Sequence, residues 1–120
     1  EHPYIFREQG SATRAAMERY LKKRKIQPQK RFELTSNEAV LQCIKAGMGI
    51  SIMPLIGIKD ELKSKQVRLI EAPGLPMRTR WRLIWLKSKK LSVLAQMFLT
   101  HLEKNQDQIT KDQFGWTEKY

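Results

Sequence analysis

The sequence predicts an α/β domain built on parallel strands. Short strand-like runs alternate with helical patterns from residue 3 to residue 70. Two segments, Phe6–Arg14 and Leu34–Val40, each leave a strand-like run at small hydroxyl-bearing residues and then enter a helix. The run Ile50–Met53 is short and mostly apolar, as an internal parallel strand is. An order βαβαβαβ implies parallel pairing and right-handed crossovers. In such sheets the C-terminal ends of the strands face the ligand cleft.

The elements follow in order. Residues 3–8 read as a strand, broken by Gly10-Ser11, and Ser11 is suited to cap a helix. The helix after it carries Thr13, Ala16, Met17, Tyr20 and Leu21 on one stripe, with Arg14, Glu18 and Lys22 on the other side. Pro28 marks a connection, and Arg31–Leu34 reads as the second strand. Thr35 with Glu38 fits a capping box, and Ser36 competes for the cap. The next helix is expected to bury Ala39, Val40, Cys43 and Ile44, with Gly47 as its C-cap. Ile50–Met53 is the third strand, stopped by Pro54. Residues 57–65 make a weak, charged helix, and Val67–Ile70 a fourth strand. Pro73-Gly-Leu-Pro76 punctuates the chain. Arg80–Leu86 reads as a fifth strand, with Trp81, Leu83 and Trp85 on one face. A last helix opens at Leu91 or Ser92 and carries Leu94, Met97, Phe98, His101 and Leu102 as a mostly apolar stripe. The polar run Glu103–Gln113 shows no stripe, and Phe114, Trp116 and Tyr120 decorate the tail.

At 120 residues this is one domain's worth of chain, or a piece of a larger one. No apolar run approaches the length needed to span a bilayer, and Glu1 opens no signal peptide. Cys43 is the single cysteine, which excludes an internal disulfide and a multi-Cys zinc site and fits a reducing cytoplasm. The net charge of +11 favours acidic partners. It is clustered at Lys22–Lys25 with Lys30 and Arg31, and again at Arg78, Arg80, Arg82, Lys87, Lys89 and Lys90. Cations at a helix C-terminus oppose the macrodipole, which accounts for Lys22–Lys25 without any partner.

Each hydroxyl-bearing turn offers first-turn amides and side-chain hydroxyls at a helix N-terminus, a seat for a small anion. Ser11, Thr13 and Arg14 are the first candidate set. In this set Ser11 can simply cap, Thr13 can be core and Arg14 can pair with an acid. Thr35, Ser36 and Asn37 are the second set, in which one hydroxyl caps and the other faces the cleft. Cys43 lies on a buried stripe, where Cys behaves as a small hydrophobe. His2 and His101 have no metal-ligand partner at useful spacing. Ser11, His101 and an acid do not fall into triad spacing. No catalytic residue, metal site or cofactor is therefore expected.

The sequence resembles the C-terminal part of a LysR-type bacterial transcriptional regulator. The resemblance rests on Arg7-Glu-x-Gly-Ser-x-Thr-Arg14, on Ser36-Asn-Glu-Ala39, on Ala46-Gly-x-Gly-Ile50 with Met53-Pro54, and on Leu91-Ser92 opening a helix that contains Phe98-Leu99. It covers roughly residues 3–104, and the first two motifs are similar to the subgroup that regulates carbon-fixation operons. It implies a periplasmic-binding-protein-like (type 2) sensor, of which residues 1–76 form the second lobe. Residues 77–105 would then be the return strand and C-terminal helix that pack on a first lobe absent from this chain, and 106–120 a polar, aromatic tail. It also implies a small-molecule effector, with effector contacts clustered at the Thr35–Asn37 loop, where Ser36-Asn37 are similar to the family's pattern, and DNA contact only through an absent N-terminal head. Together with the two anion seats, this gives a small, anionic effector expected at Ser11, Thr13, Arg14, Thr35, Ser36 and Asn37. Without the first lobe, the Trp81/Trp85 face and the Leu94–Leu102 stripe form an apolar patch that favours a homo-oligomer. The competing readings are a solute-binding lobe of a transport system and a basic nucleic-acid-binding domain. Aromatics mostly apart from the basic clusters argue against the latter as a stacking platform. A small α/β enzyme lacks any acid, base and nucleophile constellation.

Overall fold

The computed structural model describes residues 2–120; Glu1 and the side chain of Arg31 lie outside the described residues. The chain divides into two compact units between Ile70 and Glu71. The first holds β1 (Tyr4–Arg7), α1 (Ala12–Lys23), β2 (Lys30–Leu34), α2 (Asn37–Lys45), a 3-10 turn (Leu55–Gly57) and α3 (Lys59–Lys63). The second holds α4 (Val93–Phe114) and a 3-10 turn (Gly115–Lys119).

β1 is the centre of the first unit. β2 pairs with it in parallel, Ile5 opposite Phe32 and Arg7 opposite Leu34. On its other edge Ile50 bridges Tyr4, also in parallel. There the Ile50 amide donates to the Pro3 carbonyl at 3.0 Å and the Ile5 amide to the Ile50 carbonyl at 2.9 Å. The expected third strand shrinks to this one bridge. The next acceptor along β1, the Ile5 carbonyl, is taken by the Ser51 hydroxyl at 2.7 Å, so the ladder stops.

Adjacent strand residues point to opposite faces. Phe6 packs with Met17 and Leu21 of α1, ringed by Tyr4, Tyr20 and Ile52. Ile5 points the other way and is fully buried, and α2 contacts β1 and buries Val40 and Leu41. Leu41 replaces Ala39, Cys43 and Ile44 as the deepest part of this helix beside Val40; those three are half-buried.

The helix ends are set by local chemistry. Ser11, Ser36 and Ser92 each accept a bond from the backbone amide three residues on, and so cap α1, α2 and α4. The Thr35–Glu38 capping box does not form, because Ser36 holds the cap and Glu38 accepts from Gln42 at 2.6 Å instead. α2 closes in a Schellman motif: the Gly47 amide donates to the Ile44 carbonyl and the Met48 amide to the Cys43 carbonyl. Gly47 takes the left-handed φ of 72° this needs. α1 closes the same way through Lys25 and Ile26, with Lys25 at φ 56°.

Residues 67–70 and 80–86 form no strand, contrary to the expected fourth and fifth strands and to the strand form of the expected return segment. A strand is held by ladder bonds to a neighbour, and among the described residues neither segment has one. Residues 80–86 are exposed throughout, Trp81 at 83% and Ile84 at 89%. α4 runs twelve residues past Leu102, to Phe114. Its polar half holds no Gly or Pro, and Gln108 bonds Asp112 at 2.7 Å along one face. No described side chain in 71–120 is fully buried.

Candidate functional site

Two loops meet at the C-terminal edge of the β1–β2 pair. The Glu8 amide donates to the Leu34 carbonyl at 3.0 Å, one step beyond β1, so both strands end together. The turns Gly10–Thr13 and Thr35–Asn37 therefore open on one rim.

Gly10, at φ 89°, lets the chain reverse sharply into α1, and the Ser11 amide returns to the Glu8 carbonyl at 3.2 Å. The Ser11 hydroxyl accepts from the Arg14 amide at 3.4 Å and its carbonyl from the Ala15 amide at 3.0 Å. Helix geometry leaves the amides of Ala12 and Thr13 without an intrahelical acceptor. In α2 the Ser36 hydroxyl accepts from the Ala39 amide at 3.0 Å, and the first-turn amides of Asn37 and Glu38 are in the same position.

The charged side chains behind the rim are tightly paired. The Arg14 guanidinium donates to Glu18 and Glu33, each at 2.7 Å, and to the Arg7 carbonyl at 3.1 Å, while lying over the Phe6 ring. It braces α1 against β1 and β2. Lys30 also pairs with Glu33. Hydrogen bonds from Lys30, then from Arg14, hold the Glu33 carboxyl down at about 2. Arg7 and Glu8 form a two-pronged pair at 2.8 and 2.9 Å, which raises the guanidinium pKa and lowers the carboxyl's. Arg7 also reaches the second turn, donating to Asn37 Oδ1 at 2.6 Å and to the Thr35 carbonyl at 3.3 Å.

Of the six sequence-predicted residues, Ser11 and Ser36 serve as caps, Thr13 is half-buried in the first turn of α1, and Arg14 is engaged by three acceptors. Thr35 and Asn37 are tied to Arg7. Sequence reasoning missed the parts played by Arg7, Glu8 and Glu33. Arg7 and Glu8 belong to the first motif, but Arg7 and its partner Asn37 are 30 residues apart and no local pattern joins them. Among the described residues no three His, Cys, Asp or Glu side chains cluster as a metal site requires, and no helix is long and apolar enough to cross a membrane.

Comparison with known proteins gives these features a family. The model of the LysR substrate binding domain matches residues 1–107. The HTH-type transcriptional activator CmpR of Synechocystis is 34% identical over 108 residues, covering 90% of this chain and 36% of that protein. The RuBisCO operon transcriptional regulator of Allochromatium vinosum is 36% identical over 98 residues, 82% of this chain and 32% of that one. This chain thus spans about a third of the length of these relatives. Among solved structures, the Synechocystis CcmR regulatory domain in complex with 2-PG superposes with a TM-score of 0.78 at 35% identity, covering 84% of this chain and 49% of that one. The α/β fold is that of a periplasmic-binding-protein-like (type 2) sensor. The chain belongs to the LysR substrate-binding domain family.

Proposed function

We propose that this chain is the effector-sensing part of a LysR-type transcriptional regulator. It binds a small anionic metabolite and passes that event to a DNA-binding head outside this chain. The observation that carries the reading is the shared rim: two helix N-termini open side by side where β1 and β2 end together. Backbone amides at such ends, backed by the helix dipole, favour negative charge. Ser11, Thr13, Thr35, Ser36 and Asn37 supply the polar edge of the seat. Arg14 stands behind it, its charge balanced by Glu18 and Glu33, and contributes stiffness.

In this reading residues 1–76 are the second lobe. Residues 77–105 complete the first lobe, and 106–120 are a tail. The protein works in the cytoplasm, catalyses nothing and forms a homo-oligomer. Support for association comes from the apolar surface of the second unit, where Leu94 is 77% exposed and Met97 64%.

The test is titration of the 15N-labelled chain with 2-PG, the molecule held by the CcmR regulatory domain. With one wall of the cleft absent, binding is expected to be weak, so the titration runs to millimolar concentration. Shifts confined to the amides of 11–14 and 35–38 are the expected result. Shifts spread over the basic clusters alone, or none at all, reject the reading.

A further inference from the structure

We propose that Arg7 is a positioning residue that fixes which end of the Asn37 carboxamide faces the rim, and so biases the rim toward anions. The proposal deepens the effector-binding reading and rests on it. An Asn side chain has a donor end and an acceptor end, whereas a guanidinium has donors only. Arg7 Nη1 lies 2.6 Å from Asn37 Oδ1, so the oxygen is the end bound to Arg7. The opposite orientation would set N–H against N–H. The amide NH2 is therefore the end left for the rim. A donor joins the first-turn amides of both helices, and the whole edge then offers hydrogen to a ligand's oxygens.

Arg7 is itself held still. Its Nε and Nη2 grip both oxygens of Glu8 at 2.8 and 2.9 Å, and Nη2 also reaches the Thr35 carbonyl at 3.3 Å. Its side chain is only 17% exposed. Four of the five guanidinium hydrogens are thus committed, and Glu8 balances the charge. Arg7 is poorly placed to hold an anion itself and well placed to hold the group that does. Its carbonyl accepts from Arg14 at 3.1 Å, which ties the same residue to α1 and the other turn.

The experiment uses the full 120-residue chain. In the absence of ligand, 15N relaxation of the Asn37 side-chain amide reads its order directly. High order in the wild type and a fall in Arg7→Gln are expected. Arg7→Lys, which keeps the charge and loses the fork, should behave like Arg7→Gln. Unchanged order in both variants overturns the proposal, whatever the ligand results. In the second arm 2-PG and inorganic phosphate are titrated. Loss of a hydrogen bond from a held donor predicts about tenfold weaker binding in Arg7→Gln. Asn37→Asp guards against a folding defect at Arg7, because its carboxylate still accepts from Arg7 but has nothing to donate; at least about tenfold weaker binding is expected there too. Wild-type affinity in either variant overturns the proposal. A wild-type chain with an ordered Asn37 amide and no response to 2-PG or phosphate removes the effector reading and the anion bias, and leaves the Arg7 clamp to the relaxation arm alone.

Discussion

Replacing Gly49 with alanine tests how the segment around Ile50 is seated on β1. A Cβ at this position would lie 2.5 Å from the Pro3 carbonyl oxygen and 3.2 Å from Ile5 Cγ1. Carbon–oxygen contacts in proteins settle at about 3.3 Å or more, so the segment must retreat by about 0.8 Å. The Ile50–Pro3 bond now spans 3.0 Å, and the same retreat carries it beyond hydrogen-bond range. The Ile5–Ile50 bond shares this backbone and weakens with it. Two weakened bonds at about 1 kcal/mol each give a loss of about 1–3 kcal/mol, the range that overpacking also predicts. A unit of this size has total stability on the order of 4–10 kcal/mol, so the change is large. Gly47 is the internal control. It sits at φ 72° with nothing near its missing Cβ, so alanine there meets strain only, about 1–2 kcal/mol. Asparagine tolerates that conformation and should recover most of the loss at 47, while at 49 it should do no better than alanine. Urea unfolding followed by far-UV circular dichroism measures all four variants. The reasoning is refuted if Gly49→Ala stays within about 0.5 kcal/mol of wild type, the span of an ordinary surface change. It is also refuted if asparagine rescues both positions equally.

Three further outcomes are expected. Lys25→Gly should stabilise the first unit by about 1 kcal/mol, because Lys25 closes α1 at φ 56° and glycine takes that conformation without strain; a lower urea midpoint would contradict this. Glu33 has its folded pKa lowered from 4.5 to about 2, so its pairing with Lys30 and Arg14 stabilises the fold above pH 4.5 and fades as pH falls toward 2. Glu33→Gln should therefore flatten this acid limb in a series of melting curves, and an unchanged limb would show that the pairing contributes nothing. Wild-type chain at high concentration should scatter light above the 14.1 kDa monomer mass, and joint replacement of Trp81 and Phe98 by serine should return it to that mass; a wild-type monomer throughout would end the association reading.

Features written in neighbouring residues were legible in the sequence. The serine caps of α1 and α4 and the glycine end of α2 need only a few adjacent positions to form. The choice between Thr35 and Ser36 was not legible, because both hydroxyls stand at capping positions and only the residue at which the backbone turns helical separates them; α2 begins at Asn37 and Ser36 holds the cap. Leu41 is buried at 2% although the apolar stripe placed Cys43 and Ile44 inward; the seating of α2 on β1 decides the rotation of the helix, not its pattern alone. The segments 67–70 and 80–86 have strand-like composition and no ladder, since a strand depends on a neighbour that local sequence does not supply. α4 outran its apolar stripe because good helix formers carry a helix onward without burial. The two turns of the rim could be read one at a time. The clamp that joins them spans 30 residues and appears only when β1 and β2 lie side by side.

The central place of β1 has a consequence for synthesis. Its ladder partners are all translated later, and the hydroxyl that seals its far edge lies 46 residues downstream of its acceptor. At about 5–20 residues per second, the ribosome needs roughly 2–9 s to deliver that residue. Until residues 30–34 follow, Ile5 and Phe6 have no ladder partner at all, and the edge that Ile50 and Ser51 cover stays open for the whole interval. Stalling translation before residue 51 should leave residues 2–50 protease-sensitive, and their protection should appear only once residues 50–51 have cleared the exit tunnel.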